Sequence, residues 1–201
     1  MRLLFVGIFP TRTSNYFYMH KAIIIIEGLV LTTLEQYEHR LVAKCKESGH
    51  DFFKAFVLTY LRQGITPPPI DLHGRGEKGK DIFFCHCLPL GFGELHCVVM
   101  IHMDKIDSKI GSKTSVQRVI EQAEKAFEFS VDVGDYEGES IKHADVVIVI
   151  TPFKINEDAK GEIRKKVELG TRNILFKSGS ELISIIHQHN KEILEEMLKG
   201  E

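Results

Sequence analysis

The sequence predicts an α/β fold in which a mixed central sheet is flanked by helices, with residues 1–201 forming a single domain. Three observations carry this. Two runs rich in β-formers, Ile82 to Cys87 and Leu95 to Met103, flank the turn residues Pro89 to Gly93, the pattern of a β-hairpin. After the hairpin, helical and strand patterns alternate, and Val146 to Ile150 is an unbroken β-branched run of the kind found in a buried strand. A hydrophobic content of 43% against 27% charged residues is that of a globular chain, and 201 residues suffice for a core without covalent staples.

The elements follow in order. Leu3 to Ile8 and Ala22 to Leu31 are apolar runs with strand propensity, so residues 1–31 form an N-terminal strand region ahead of a core at 32–201. Thr32 or Thr33 opens a helix in which Leu34, Tyr37, Leu41 and Cys45 recur at helical spacing toward Gly49. A second helix covers Phe52 to Arg62 and stops before Pro67, Pro68 and Pro69, which lack the amide donor that a helix needs. Beyond the hairpin, Val116, Val119, Ile120, Ala123 and Phe127 mark one face of an amphipathic helix from Thr114 to Phe127. Asn156 can cap a helix running through Ala159, Ile163 and Val167 to Gly170. Asn173 to Lys177 is a short strand, and Ser180 opens a final helix with Leu182, Ile183, Ile186, Ile193, Leu194 and Leu198 on its apolar side.

The hairpin concentrates the chemistry. Alternation sorts its side chains into an apolar set, Ile82, Phe84, His86, Cys97, Val99, Ile101 and Met103, expected to face the core, and a mixed set, Asp81, Phe83, Cys85, Cys87, Glu94, His96, Val98, Met100 and His102. Pairing the apolar sets brings Asp81 near His102, and a slip of one residue undoes that juxtaposition. Cys85, Cys87 and His96 share the mixed face, where thiolate and imidazole ligands suit Zn²⁺. A C-x-C on one strand separates its sulfurs, however, and cysteines also serve as small core hydrophobes.

This order of residues resembles the Mrr-like branch of the PD-(D/E)XK nuclease fold, a restriction-endonuclease-like architecture, over roughly Leu34 to Ile186. The pieces that match are YEHRLVAKCKESGHD with Glu38, GRGEKGKDIFF with Asp81, VVMIHMDKID on the second hairpin strand, and the tail ADVVIVITPFKINEDAKGEIRKKVELGTRNILFKSGSELISII. The resemblance implies Mg²⁺ or Mn²⁺ held by Asp81 and Glu38 beside a phosphodiester, with a lysine offsetting developing charge. The chain departs from the family's Gln/Glu-x-Lys motif, since Met100 stands at the Gln/Glu position and His102 at the lysine position. Methionine is no ligand for a hard cation, and imidazole is a poor substitute for an ammonium. The expectation is a nuclease-fold domain that binds nucleic acid through a degenerate site. The alternative is an active metal-dependent endonuclease using Asp81 and His102, with Lys80 or Lys105 supplying the charge. A zinc-binding module built on Cys85, Cys87 and His96 is the third reading. Arg75, Lys78 and Lys80, on the glycine-rich approach to Asp81, are the residues placed to meet phosphates.

Bulk properties narrow the partners. A net charge of -2 argues against broad, charge-driven binding of nucleic acid. Its distribution is uneven, because residues 1–80 hold 11 Lys and Arg against 7 Asp and Glu while the remainder is net acidic. Nucleic acid, DNA ahead of RNA, is the expected partner, with a protein partner or homodimer also compatible. The longest aliphatic stretch, Ala22 to Ile26, is far short of a membrane span, so no membrane partner is expected. Four cysteines without a secretory pattern fit an intracellular, cytoplasmic setting. Arg2, Arg12 and Lys21, with no acidic residue before Glu27, also fit a mitochondrial presequence, although the apolar runs around them favour folded structure. Arg164, Lys165 and Lys166 read as a solvated helix face, and His187 and His189 as surface residues.

Overall fold

The computed structural model describes residues 15–65, 67–72, 80–88, 93–107, 115–128, 130–132, 141–168 and 172–199, with the backbone alone at 15–32, 132, 141 and 142. The elements run α1 (Asn15–Gly64), β1 (Ile70–Asp71), β2 (Ile82–Cys87), β3 (Glu94–Ile101), α2 (Ser115–Glu128), β4 (Val131–Asp132), β5 (Ile141–Lys142), β6 (Val146–Thr151), α3 (Glu157–Val167), β7 (Asn173–Ser178), α4 (Gly179–His189) and α5 (Lys191–Leu198). Five strands form a mixed sheet in the order β1-β2-β3-β6-β7. The pairs β1–β2 and β2–β3 are antiparallel, while β3–β6 and β6–β7 are parallel. β4 and β5 make a separate two-stranded ribbon. The α/β class read from the sequence is the class observed.

The sheet is covered on both faces. On one side Ile82, Phe84, Cys97, Val99 and Ile101 pack with Leu41, Phe53, Phe56 and Val57 of α1 and Leu182, Ile183 and Ile186 of α4. On the other, Phe83, Cys85, Val98 and Met100 pack with Val116, Val119, Ile120 and Ala123 of α2 and Ala159 and Ile163 of α3. The face expected to be mixed and open to chemistry is therefore core along most of its length. Parallel strands joined by crossover helices are buried on both sides, which is why β6 reads as a continuous apolar run rather than an alternating one. His86, expected inward, is exposed.

Three local differences have physical causes. Ala22 to Leu31, read as a strand, lies inside α1. A continuous apolar run carries no period that separates helix from strand, and with no proline in the way a helix extends more readily than it nucleates afresh. Leu3 to Ile8 lies outside the described residues. The two helices expected on either side of Gly49 are one element interrupted there, at φ 71° and ψ -155°, a conformation that glycine adopts without a Cβ clash. The last helix divides at Asn190, whose side chain accepts the Ile193 amide at 3.2 Å and starts α5 afresh. The cap at Asn156 is as expected, accepting the amides of Asp158 and Ala159. Ser178 and Glu181 form a reciprocal capping box at the start of α4.

Candidate functional site

Asp81 sits at the mouth of the hairpin. Its own amide donates to Val99 O at 2.9 Å and its carbonyl accepts the Leu72 amide at 3.0 Å, which anchors it between β1 and β3. Because it precedes the first ladder residue, Ile82, strand alternation does not fix its side chain. The carboxylate turns across the end of β3, where Oδ2 accepts the Ile101 amide at 2.7 Å. Oδ1 lies 3.0 Å from His50 Nε2. His50 directly follows the break in α1 at Gly49.

One helical turn beyond His50, on the same face, Lys54 places Nζ 2.6 Å from Asp71 Oδ1. Lys54 is buried, whereas Asp71 is partly open to solvent. Asp71 pairs with Ile82, next to Asp81, so imidazole, ammonium and two carboxylates stand side by side where α1 crosses β1 and β2. Asp51, Lys54, Ala55, Leu58 and Asp71 line a shallow cavity of about 280 Å³ there.

The second hairpin strand brings different chemistry. The ladder pairs Ile82 with Val99, so the next position inward on β3, opposite Asp81, is Met100, which is only 2% exposed and part of the core under α2. His102 follows the strand and its amide donates to Ile150 O at 2.8 Å. Its ring is buried and, among the described residues, Nε2 has no hydrogen-bond partner. Burial lowers its pKa below the ordinary histidine value; Asp104 works against this and Arg118 of α2 with it. Asp81 meets His50 of α1, whereas the charges felt by His102 are those of Asp104 and of Arg118 on α2.

The remaining expected residues are dispersed. Glu38 lies on α1 about three turns before Gly49, roughly 18 Å along the helix axis from His50, too far for one ion to be shared with Asp81. Lys80 is buried and its ammonium donates to Ser130 O at 3.2 Å, so it points inward. Lys105 is exposed. Arg75 and Lys78 lie outside the described residues. His50, Lys54 and Asp71 were missed by sequence reasoning. The signal available was a histidine and a lysine four residues apart on a helix face otherwise built from Phe53, Phe56 and Val57.

These donors do not fit Mg²⁺. A hard, six-coordinate ion needs several oxygen ligands. Here Asp81 already accepts the Ile101 amide and faces His50, Met100 offers no oxygen, and burial disfavours the charged form of His102.

The far end of the hairpin carries a second group. Cys85 pairs with His96 and Cys87 with Glu94. Cys85 Sγ, a Glu94 carboxylate oxygen and a ring nitrogen of His96 all lie within 4.8 Å of one another, an arrangement that can hold a metal ion. Asp145, just ahead of β6, binds the His96 amide through Oδ2 at 2.8 Å and stands 3.4 Å from His96 Nδ1. The other two cysteines are different in kind: burial pushes the Cys45 thiol up to about 12 and the Cys97 thiol up to about 11. None of the four forms a disulfide.

No protein-family model, curated protein or solved structure matches this chain. Among the described residues, no helix is long and apolar enough to cross a membrane.

Proposed function

We propose that the chain is a nuclease-shaped domain that binds nucleic acid, DNA ahead of RNA, without cleaving it. The observation that carries the reading is the commitment of the Asp81 carboxylate to the Ile101 amide and His50, beside a buried methionine on β3. The antiparallel β1–β2–β3 unit, the parallel β6 and the approach of α1 to Asp81 are compatible with the arrangement that the resemblance implies around a metal ligand. Met100, the β3 residue after Val99, offers core packing rather than an oxygen. Asp81 itself is occupied in joining β2, β3 and α1. On that reading, a carboxylate committed to the fold favours binding over hydrolysis.

Binding is assigned to the basic approach to β2, with Arg75 and Lys78 meeting the phosphates. Lys80, turned inward, contributes to the fold instead. Titration of a labelled DNA duplex followed by fluorescence anisotropy should show affinity that falls steeply with salt. Replacing Arg75 and Lys78 by serine should weaken binding and reduce the slope of log K against log salt by about one for each phosphate no longer neutralised. Unchanged affinity and slope in the double variant would refute the assignment.

A further inference from the structure

We propose that the tip of the β2–β3 hairpin is a zinc site, with Cys85, Cys87, Glu94 and His96 as its ligands and Asp145 as the residue that positions the imidazole. Sequence spacing alone argues weakly for this, because a C-x-C on one strand spreads its sulfurs. The ladder changes the case. It sets Cys85 opposite His96 and Cys87 opposite Glu94, so four ligand side chains form two adjacent cross-strand pairs on one face.

Distances support closure round one ion. With bonds of about 2.3 Å to sulfur and 2.0–2.2 Å to nitrogen or oxygen, neighbouring ligands of tetrahedral zinc stand roughly 3.3–3.8 Å apart. Three of the four ligand atoms are already within 4.8 Å of one another. Cys87 Sγ lies outside that group of three but is 3.9 Å from its Glu94 Oε1. Contraction of the three by about 1–1.5 Å, with rotation of the exposed Cys87 side chain toward them, completes the site.

The surroundings are those of a metal-bound histidine. Asp145 faces Nδ1, which leaves the Nε2 lone pair for an ion, the usual carboxylate–imidazole arrangement. His96 also stacks on Phe83, with ring centroids 6.0 Å apart. Cys85 is buried while Cys87 and Glu94 are exposed, so the ion enters from the solvent side and rests on an inner sulfur. Two thiolates, an imidazole and one carboxylate select zinc over magnesium, which requires oxygen ligands. On coordination the two thiols release their protons to solvent.

The site would tie β2 to β3 across the turn and, through Asp145, to the start of β6. It is separate from the Asp81 cluster, since Cys85 lies four residues along β2, about 13 Å away at strand rise, and it stands or falls independently of nucleic-acid binding.

Cobalt(II) titration of the metal-free full chain tests it. Saturation at one equivalent is expected, with a thiolate-to-cobalt charge-transfer band, the intense visible absorption of a tetrahedral ion, and displacement by zinc. Cys85→Ser should abolish the charge-transfer band or halve it. Because that residue is buried and its variant can misfold, Cys87→Ser and His96→Gln give the second reading. The first should halve the band, and the second should lower affinity by about tenfold or more. Absence of a thiolate band at one equivalent, or a band and affinity unaltered in both Cys87→Ser and His96→Gln, would overturn the proposal.

Discussion

Replacing Asp81 by alanine separates a carboxylate that serves the fold from one held ready for catalysis. Asp81 is 16% exposed in its side chain, and its Oδ2 accepts the amide of Ile101, a buried residue at the end of β3. A hydrogen bond to a charged group contributes about 1.5–3 kcal/mol, and its removal leaves the Ile101 amide without that acceptor. The His50 interaction adds only about 0–1 kcal/mol, because the imidazole is 39% exposed and screened by solvent. Asp81→Ala should therefore destabilise the fold by about 2–4 kcal/mol. For a chain of this length that is a fall in Tm of about 4–16 °C. Asp81→Asn, which retains an acceptor but not the charge, should lose about half as much. Urea unfolding followed by circular dichroism measures both. Stability in Asp81→Ala equal to or above that of the parent would refute the reasoning, because catalytic carboxylates commonly trade stability for function.

Three further outcomes follow from the same geometry. Burial depresses the His102 pKa, so the folded chain binds fewer protons than the unfolded one. The neutral ring's contribution is complete above about pH 6.5 and is lost as the pH falls from there toward the folded-state value. The urea midpoint should drop between about pH 7 and pH 5, less so in His102→Gln; identical pH profiles would contradict this. Gly179→Ala should destabilise by about 1–3 kcal/mol, since a Cβ there would lie 2.5 Å from the Pro152 carbonyl oxygen; an unchanged Tm would show that the backbone yields freely. Lys54→Met should change stability by no more than about 1 kcal/mol, whereas Asp71→Ala, which strands a buried ammonium, should lose about 2–3 kcal/mol. That figure is below the range for fully buried pairs because Asp71 is 41% exposed. Equal losses in the two variants would argue that the pair, rather than desolvation of Lys54, sets the stability.

How far the fold is legible depends on whether a residue's role is local. Asn156 declares its cap, and Val146 to Ile150 declares a strand buried on both faces, because each pattern is decided within a few residues. The hairpin's two faces are separable by alternation, and the ladder keeps that separation. What alternation cannot supply is the layer that covers the second face. The stripe Val116, Val119, Ile120 and Ala123 needs an apolar partner and takes Phe83, Val98 and Met100, turning the anticipated reactive face into core. Ala22 to Leu31 defeats sequence reasoning because its composition favours a strand while its continuity permits a helix. The approach of His50 to Asp81 escapes because it depends on where a helix restarting after Gly49 lands against a sheet edge, a matter of tertiary geometry. At the hairpin tip, Cys85, Cys87 and His96 are visible in the sequence as metal-capable residues, but Glu94 and the orienting Asp145 require the register and the neighbouring β6.

Binding without hydrolysis is tested most directly by incubating the purified chain with an end-labelled DNA duplex in Mg²⁺ or Mn²⁺, measuring anisotropy and then resolving the same samples on a denaturing gel. Salt-sensitive binding is expected, with the strands intact in both metals. Cleavage that disappears in Asp81→Asn, or the absence of any binding at low salt, would contradict it.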